Sequence, residues 1–465
     1  MKRCAFLLSL LLLHFSLFPV ALSEPAATTL RLNGCFSDAI YQSFHQEHPE
    51  VEVSFSDAMP TALEVAQAII TQDATYDLYA VWVDYNFTQL VEKHYAADLS
   101  SSSLLTEDVA TMYPNFRQML TNSAGQLIAY PFQVFRSDWL VNPSAWQMVF
   151  GDKPLPATFQ AFFEDMLLWE TDYADEYGDL IAFAGDFDFA YWARTTVNAF
   201  VCQHWQTDTP LSLNDEHLRA ALSALEQVRD VRQQKGRNIS FDPENFFPMV
   251  SLIDDAGYNI ALQNPPSEQL TDDIEAMMNS YAPFSVPTFS DDEACSTPGR
   301  MIVWFVNPYT QHKELAIRYL EHAAMKNNNL QTYYATHPDA TEPMASSSFE
   351  TRLAQFEQQR ADLQELLAAA DESERRDIEM ELATVQAWLD NVDSWRWNIS
   401  PDAIEYTHSY AGSLVFDAEN PYLQVLGDYT EARLESLYQR YQSGKLDAER
   451  FLKALEQLLI MIHEE

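Results

Sequence analysis

Between Thr29 and Ser100 short apolar runs alternate with helical stretches, and that order admits few folds. Leu30 and Leu32 mark a strand, Asn33-Gly34 a tight break, and Asp38–His45 a helix. Pro49 then precedes a strand at Val51, Val53 and Phe55. A second helix covers Leu63–Thr71, and Tyr76–Trp82 is an apolar strand. Strands separated by helices predict an α/β unit with a largely parallel sheet. Ligands of open α/β sheets lie beyond the carboxyl ends of strands. Trp82, Asp84 and Tyr85 stand just past such an end, which places them at a rim.

The amino-terminal residues set the expected compartment. Lys2 and Arg3 precede an apolar run, Ala5–Val20, and Ala21-Leu22-Ser23 is a small-x-small cleavage site. Residues 1–23 are read as a signal peptide, with an uncleaved anchor as the rival. The only cysteine in this leader, Cys4, precedes the apolar run, so no lipobox supports a lipid anchor. Export across the cytoplasmic membrane is the expectation, to a periplasmic or cell-surface location. No later apolar run reaches the roughly 18 residues of a membrane helix.

The net charge of −42 becomes −44 once Lys2 and Arg3 are removed with the leader. Nucleic acid and anionic lipid are poor partners for such a chain, because phosphates are repelled. Cys35, Cys202 and Cys295 remain, widely spaced and without a C-x-x-C pair, so neither zinc nor redox chemistry is expected. Whether two of them form a disulfide stays open.

Farther along, Gly125–Pro131 turns into a strand that continues through Arg136–Asn142, and Lys153–Phe159 opens a helix. Phe284–Phe289 reads as a return crossing, Met301–Asn307 as an apolar strand, and Gln311–Ala324 as a helix. From Phe349 to Val392 the pattern is a charged helical hairpin. One helix carries Leu353, Phe356, Leu363, Leu366 and Leu367; the other carries Ile378, Leu382, Val385, Trp388 and Leu389. The last helix carries Phe451, Leu452, Leu455, Leu458, Leu459 and Met461 at helical spacing, which reads as a core face.

Several of these segments, taken in order, resemble the sugar-type extracellular solute-binding proteins (family 1) of ABC importers. Val306-Asn307-Pro308-Tyr309-Thr310-Gln311-His312-Lys313-Glu314-Leu315-Ala316 resembles the family's I-N-x-x-S-x-x-K-E-x-A segment. Pro156-Ala157-Thr158-Phe159 resembles its P-x-T-W, with Phe for Trp, and Gly125–Pro131 its first crossing. The likeness covers about residues 29–340, and the tail less closely. It implies an α/β, two-lobe, periplasmic-binding-protein-like (type II) fold with hinge crossings and an added carboxyl-terminal helical region. The first lobe would take 24–132 and 286–330, the second 133–285 and 331–465. It also implies a monomeric receptor that hands a carbohydrate to permease subunits, without cofactor or catalysis.

A sugar cleft needs aromatic faces for C–H surfaces and polar groups for hydroxyls. Trp82, Asp84 and Tyr85 offer both; Asn33, Trp192 and Tyr258 occupy loops where the family touches its ligand. Each has a structural alternative. Trp82 and Trp192 can be core, Asp84 a helix cap, and Asn33 a turn residue. Trp304 is read as core. Two other functions remain open: a receptor for a polyamine, peptide or metal chelate, and a secreted carbohydrate-active enzyme. The second needs two carboxylates across one pocket, and no motif supplies them. G-x-S-x-G, H-E-x-x-H and phosphate-loop patterns are absent. Asp172, Asp175 and Asp179 depart from calcium-loop spacing and read as an exposed turn. The sequons at Asn86, Asn238 and Asn398 are read as accidental.

Overall fold

The computed structural model describes residues 28–34, 37–56, 58–93, 95–185, 187–205, 209–240, 250–260, 270, 277–278, 281–290, 297–325, 330–370, 372–416, 418, 420–427 and 430–464. The leader, Cys35 and Cys295 lie outside them; Cys202 is buried.

The first six elements are β1 (Thr28–Asn33), α1 (Asp38–Glu47), β2 (Val51–Ser56), α2 (Ala62–Ile70), β3 (Leu78–Trp82) and α3 (Tyr85–Glu92). β1 pairs in parallel with β2 and β3, as the alternation predicts. Side-chain caps start the helices: Ser37, Thr61 and Asp84 each accept a backbone N–H in the first turn. Gly34 follows β1 at φ +106°, and a Cβ there would lie 2.9 Å from the Ala80 carbonyl oxygen. Only glycine meets both conditions.

β4 (Tyr130–Val141) then runs between two hydrophobic cores. Tyr130, Phe132 and Val134 belong to the first, with Leu30, Val81, Phe116 and Val303. Trp139 and Val141 belong to the second, with Phe163, Leu225, Tyr438 and Phe451. The second core packs α4 (Phe159–Leu168), α5 (Phe189–His204) and α6 (Glu216–Gln234). It also takes the start of β5 (Ile253–Ile260) and all of β6 (Ala282–Phe284), both antiparallel to β4. Thr158 caps α4, and the buried Phe159 stacks on Phe289 with centroids 5.1 Å apart.

The chain returns to the first core through β7 (Thr297–Val306), which lies antiparallel between β3 and β4. The crossing itself differs from the sequence expectation of Phe284–Phe289. Phe284 pairs with Trp139 in the ladder, and Val286 and Phe289 are buried in the second core. Their apolar character serves packing in the second core, where Phe289 stacks on Phe159 of α4.

Beyond β7, α7 (Lys313–Ala324) and α8 (Leu330–Thr336) pack with the first core. Thr332 donates its hydroxyl to the Phe132 carbonyl. The helical hairpin is present as α9 (Phe349–Ala369) and α10 (Glu372–Asp390). Leu363 and Val385 are buried in it, and Phe356 stacks on Trp388 at 6.0 Å. A two-stranded clamp, Met344–Ala345 against Trp397–Ile399, closes its base. Next, α11 (Pro401–Ala411) supplies Tyr410 and β8 (Leu414–Phe416) supplies Leu414 and Phe416 to the first core. Only after Ala418 does the chain rejoin the second core, through Tyr422, Leu426, α12 (Ala432–Gln442) and α13 (Ala448–Glu464). Assignment of all of 331–465 to the second lobe therefore does not match the packing, because helical spacing reports a buried face and not the core that buries it.

The Val306–Ala316 motif is a structural knot. Asn307 is 0% exposed. Its Nδ2 donates to the Asp73 and Tyr76 carbonyls at 2.8 and 2.9 Å, and its Oδ1 accepts from Tyr309 N–H at 3.0 Å. Asp77, 2% exposed, accepts from Arg31 N–H and the Thr310 hydroxyl. Thr310 in turn accepts from His312 N–H. Strands β1, β3 and β7 are thus fastened at one end by two side chains. Replacing Asn307 with Ala strands several backbone groups, each worth about 1–3 kcal/mol when unsatisfied. Asn307→Ala should lower stability by about 3 kcal/mol in urea unfolding; a loss near zero would make the motif decorative.

Candidate functional site

The site grows from the carboxyl end of β3. Antiparallel register sets Trp82 opposite Ile302 of β7, and Arg300 opposite Phe135 of β4. Arg300 and Ile302 share a face of β7, since alternate strand residues point the same way. The consequence is a cross-strand cluster. The Arg300 guanidinium carbon sits 4.3 Å from the centroid of the Trp82 ring, over its face. Phe135 approaches the same indole, with centroids 5.3 Å apart and planes at 48°. Trp82 is half-buried and packs against the first core.

Asp84 caps α3, its Oδ1 accepting from Phe87 N–H at 2.9 Å. Burial pushes its carboxyl above the usual value, against the Phe87 and Asn86 N–H groups and the Arg300 charge, which pull it down. Both roles weighed for Asp84 thus meet in one residue, a cap beside the Arg300 cation. Tyr85 is the first residue of α3. Asn33 ends β1 in register with Tyr79, roughly 10 Å short of Trp82 along the sheet. Tyr258 stands on β5 opposite Ser137 of β4.

Arg136, next to Phe135, points to the opposite face. It is buried, donates to the Tyr406 hydroxyl at 2.5 Å, and lies 4.5 and 4.1 Å from the Tyr406 and Tyr410 ring centroids. Two rings of α11 therefore clamp the strand where it passes between cores.

Trp192 does not join this rim. It is 2% exposed, with ring centroids 5.2 Å from Phe162 and 5.7 Å from Trp139. The Asp188 cap sets the phase of α5, and Trp192, Ala193, Thr196, Val197 and Phe200 fall on its buried face. Trp192 is a core residue. Trp304 is buried as expected. Phe135, Arg136, Arg300, Tyr406 and Tyr410 were not singled out by sequence. An arginine inside each of two apolar strands is the signal that could have raised Arg136 and Arg300.

A cavity of about 450 Å³ lies elsewhere, walled by Trp169, Glu170, Phe183, Phe187, Arg232 and Arg237 among others. Glu170, 2% exposed, pairs with Arg232 and Arg237. Asp175 pairs with Lys235 and Arg237, and the Lys235 bond holds its carboxyl below the ordinary value. These ion pairs brace the segment that follows α4 and leave the cluster with one base in excess of its acids. Among the described residues no His, Cys, Asp and Glu cluster could hold a metal ion.

Two stability outcomes separate the tryptophans. Trp192→Ala should cost about 3–5 kcal/mol, the usual penalty for emptying an aromatic core position, whereas Trp82→Ala should cost clearly less. Urea unfolding measures both; equal losses would return Trp192 to the candidate list. For Asp84 the raised carboxyl fixes the sign. Its charged form is penalised in the folded state, so that stability is present at low pH and lost as pH rises through the carboxyl's folded value. Asp84→Asn keeps the cap and should be at least as stable as the parent at pH 7, with the difference vanishing on acidification below the carboxylate range. Urea midpoints across pH read this out, and a difference unchanged by pH would refute it.

No protein-family model matches the chain, and no curated protein matches it. Solved structures do. The GacH receptor of Streptomyces glaucescens GLA.O, determined unliganded and with acarbose, superposes with TM-score 0.54 at 13% identity, covering 95% of this chain and 100% of the other. A solute-binding protein of an ABC transporter from Agrobacterium radiobacter K84, in complex with ribitol, gives TM-score 0.53 at 13% identity, over 94% and 100%. Maltose-bound MalE3 of T. maritima gives 0.50 at 11% identity, over 94% and 100%. The chain has the two-lobe, periplasmic-binding-protein-like α/β fold of these proteins.

Proposed function

We propose that this chain is an extracytoplasmic solute-binding receptor that captures a carbohydrate between its two lobes and delivers it to the permease subunits of an ABC importer. One observation carries the reading: two separate cores meet along β4, and an aromatic–charged cluster of Trp82, Phe135, Arg300 and Asp84 sits where that strand crosses. Such a junction is where a two-lobe protein gains contacts on closing. Ligand then shifts the population toward the closed form by its differential affinity for it. The fold neighbours named above, solved with acarbose, ribitol and maltose, support a sugar-like solute. The reading needs no cofactor, metal or catalytic group. The leader pattern at 1–23 supports an address outside the cytoplasmic membrane, and no described helix is long and apolar enough to cross a membrane. The lobes would be the two packing units, and the working form a monomer.

Trp82 is the pivot of the site. Trp82→Ala should weaken solute binding at least tenfold, or about 1.4 kcal/mol, while leaving the circular dichroism spectrum native. A thermal-shift panel of sugars, polyamines and peptides identifies the solute class, since a ligand that binds only the folded state raises the melting midpoint. A shift from an amine or peptide and from no sugar would overturn the carbohydrate reading.

A further inference from the structure

We infer that the cavity walled by Trp169 and Glu170 is a second solute site, built within the second packing unit alone, and that it takes a neutral polyhydroxy ligand, a sugar or a polyol. The inference goes beyond the receptor reading, because none of the cavity's walls belongs to the Trp82 cluster. At about 450 Å³ it falls among small-molecule sites, which run from about 300 to 1,000 Å³. α4 continues as a π-helix over Trp169–Tyr173, a rare geometry found often at functional sites. Both Trp169 and Glu170 are buried there.

Charge decides the ligand class. The ion pairs join Glu170 and Asp175 to Arg232, Lys235 and Arg237. Asp179, in the wall, adds a third acid against those three bases. The described charges around the cavity therefore balance, and neither an anion nor a cation would find an unmatched partner. A hydroxyl both donates and accepts, so it suits walls that hold fixed donors beside fixed acceptors.

The walls keep hydrogen-bonding capacity for such a ligand. Arg232 donates from Nε to the Asn238 carbonyl and from Nη1 to Glu170, and its Nη2 has no acceptor among the described residues. Arg237 gives Nη1 and Nη2 to Glu170 and Asp175, and its Nε has no described acceptor. Asp179 accepts from no described residue. The Trp169 indole N–H also lacks a described acceptor, whereas those of Trp146, Trp205 and Trp395 donate to carbonyls. A buried indole N–H usually finds a partner, and Trp169, 3% exposed, lines the cavity. The Phe187 face is taken by Arg232, 4.5 Å from its centroid, so Trp169 and Phe183 form the apolar wall for C–H groups.

The test is titration calorimetry on the full-length mature protein carrying Trp82→Ala, which weakens the proposed interlobe site. The panel is ribitol, D-mannitol, D-glucose and maltose, with D-glucuronate and spermidine as charged counterparts. The expected result is one equivalent of a neutral member bound, tenfold or more tighter than either charged ligand. Asp179→Ala, which removes an exposed acceptor, and Ala184→Leu, which fills the cavity, should each weaken that binding at least tenfold. Circular dichroism checks that both variants fold. Binding of no neutral member, or binding that both cavity variants leave unchanged, overturns the inference; the receptor reading then stands if the parent chain still binds. Tighter binding of glucuronate or spermidine overturns the ligand class and the inference with it. Solute binding that Ala184→Leu removes and Trp82→Ala leaves intact upholds the cavity and sinks the interlobe site. Should Ala184→Leu fail to fold, Asp179→Ala decides, because that side chain is exposed and has no described partner.

Discussion

The strand Tyr130–Val141 is the constraint on which the rest of the architecture depends. A backbone leaving one core for another would expose unpaired N–H and C=O groups at the gap, and buried unpaired groups are costly. Here β7 pairs with the first half of β4 and β5 with the second, so the ladder continues through the crossing. Register shifts fall at Pro131/Gln133 and Asp138/Trp139, on either side of the passage. Bulges bend and twist a strand locally, which lets one continuous strand serve two differently oriented cores. The same geometry places Phe135 and Arg136, which β4 turns to opposite faces, at the passage between the two cores.

That placement explains which parts of the molecule were legible in sequence. The alternation over 29–100 specified a parallel sheet because apolar runs and caps are local signals, and β1, β2 and β3 pair accordingly. The 306–316 motif was legible as a motif, although its meaning lies in bonds from Asn307 to carbonyls more than two hundred residues away. The hairpin was legible because apolar residues recur at helical spacing in each of its helices, and Leu363 and Val385 are buried there. Its attachment was not: whether α11 and β8 join the first or the second core depends on a tertiary choice that periodicity does not encode.

The candidate site was legible in part for the same reason. Trp82 and Asp84 follow a strand end, a position sequence can locate. Trp192 follows a helix start in an equally aromatic setting, but the phase set by Asp188 turns it inward. Arg300 and Phe135 become neighbours only through the antiparallel register of β4 and β7, and a slip of one residue would send each to the opposite face. Cross-strand contacts of this kind carry no local signature, so the pairing of Arg300 with Trp82 was invisible until the ladder was known.

Under the proposed function, the two arginines at the crossing divide the work of a two-lobe receptor. Arg136 faces α11 and is held by two rings and a hydroxyl, which ties the passage of β4 to the first core. Arg300, on the neighbouring register pair, faces Trp82 and the helix start at Asp84. Cation–π contacts gain strength as water is excluded from them, so closing one lobe over the other would tighten the Trp82–Arg300 stack. Under the proposed function, fixed geometry on one face of the strand and ligand-dependent desolvation on the other supply what closure requires: a pivot that stays in place and a contact worth more in the closed state than in the open one.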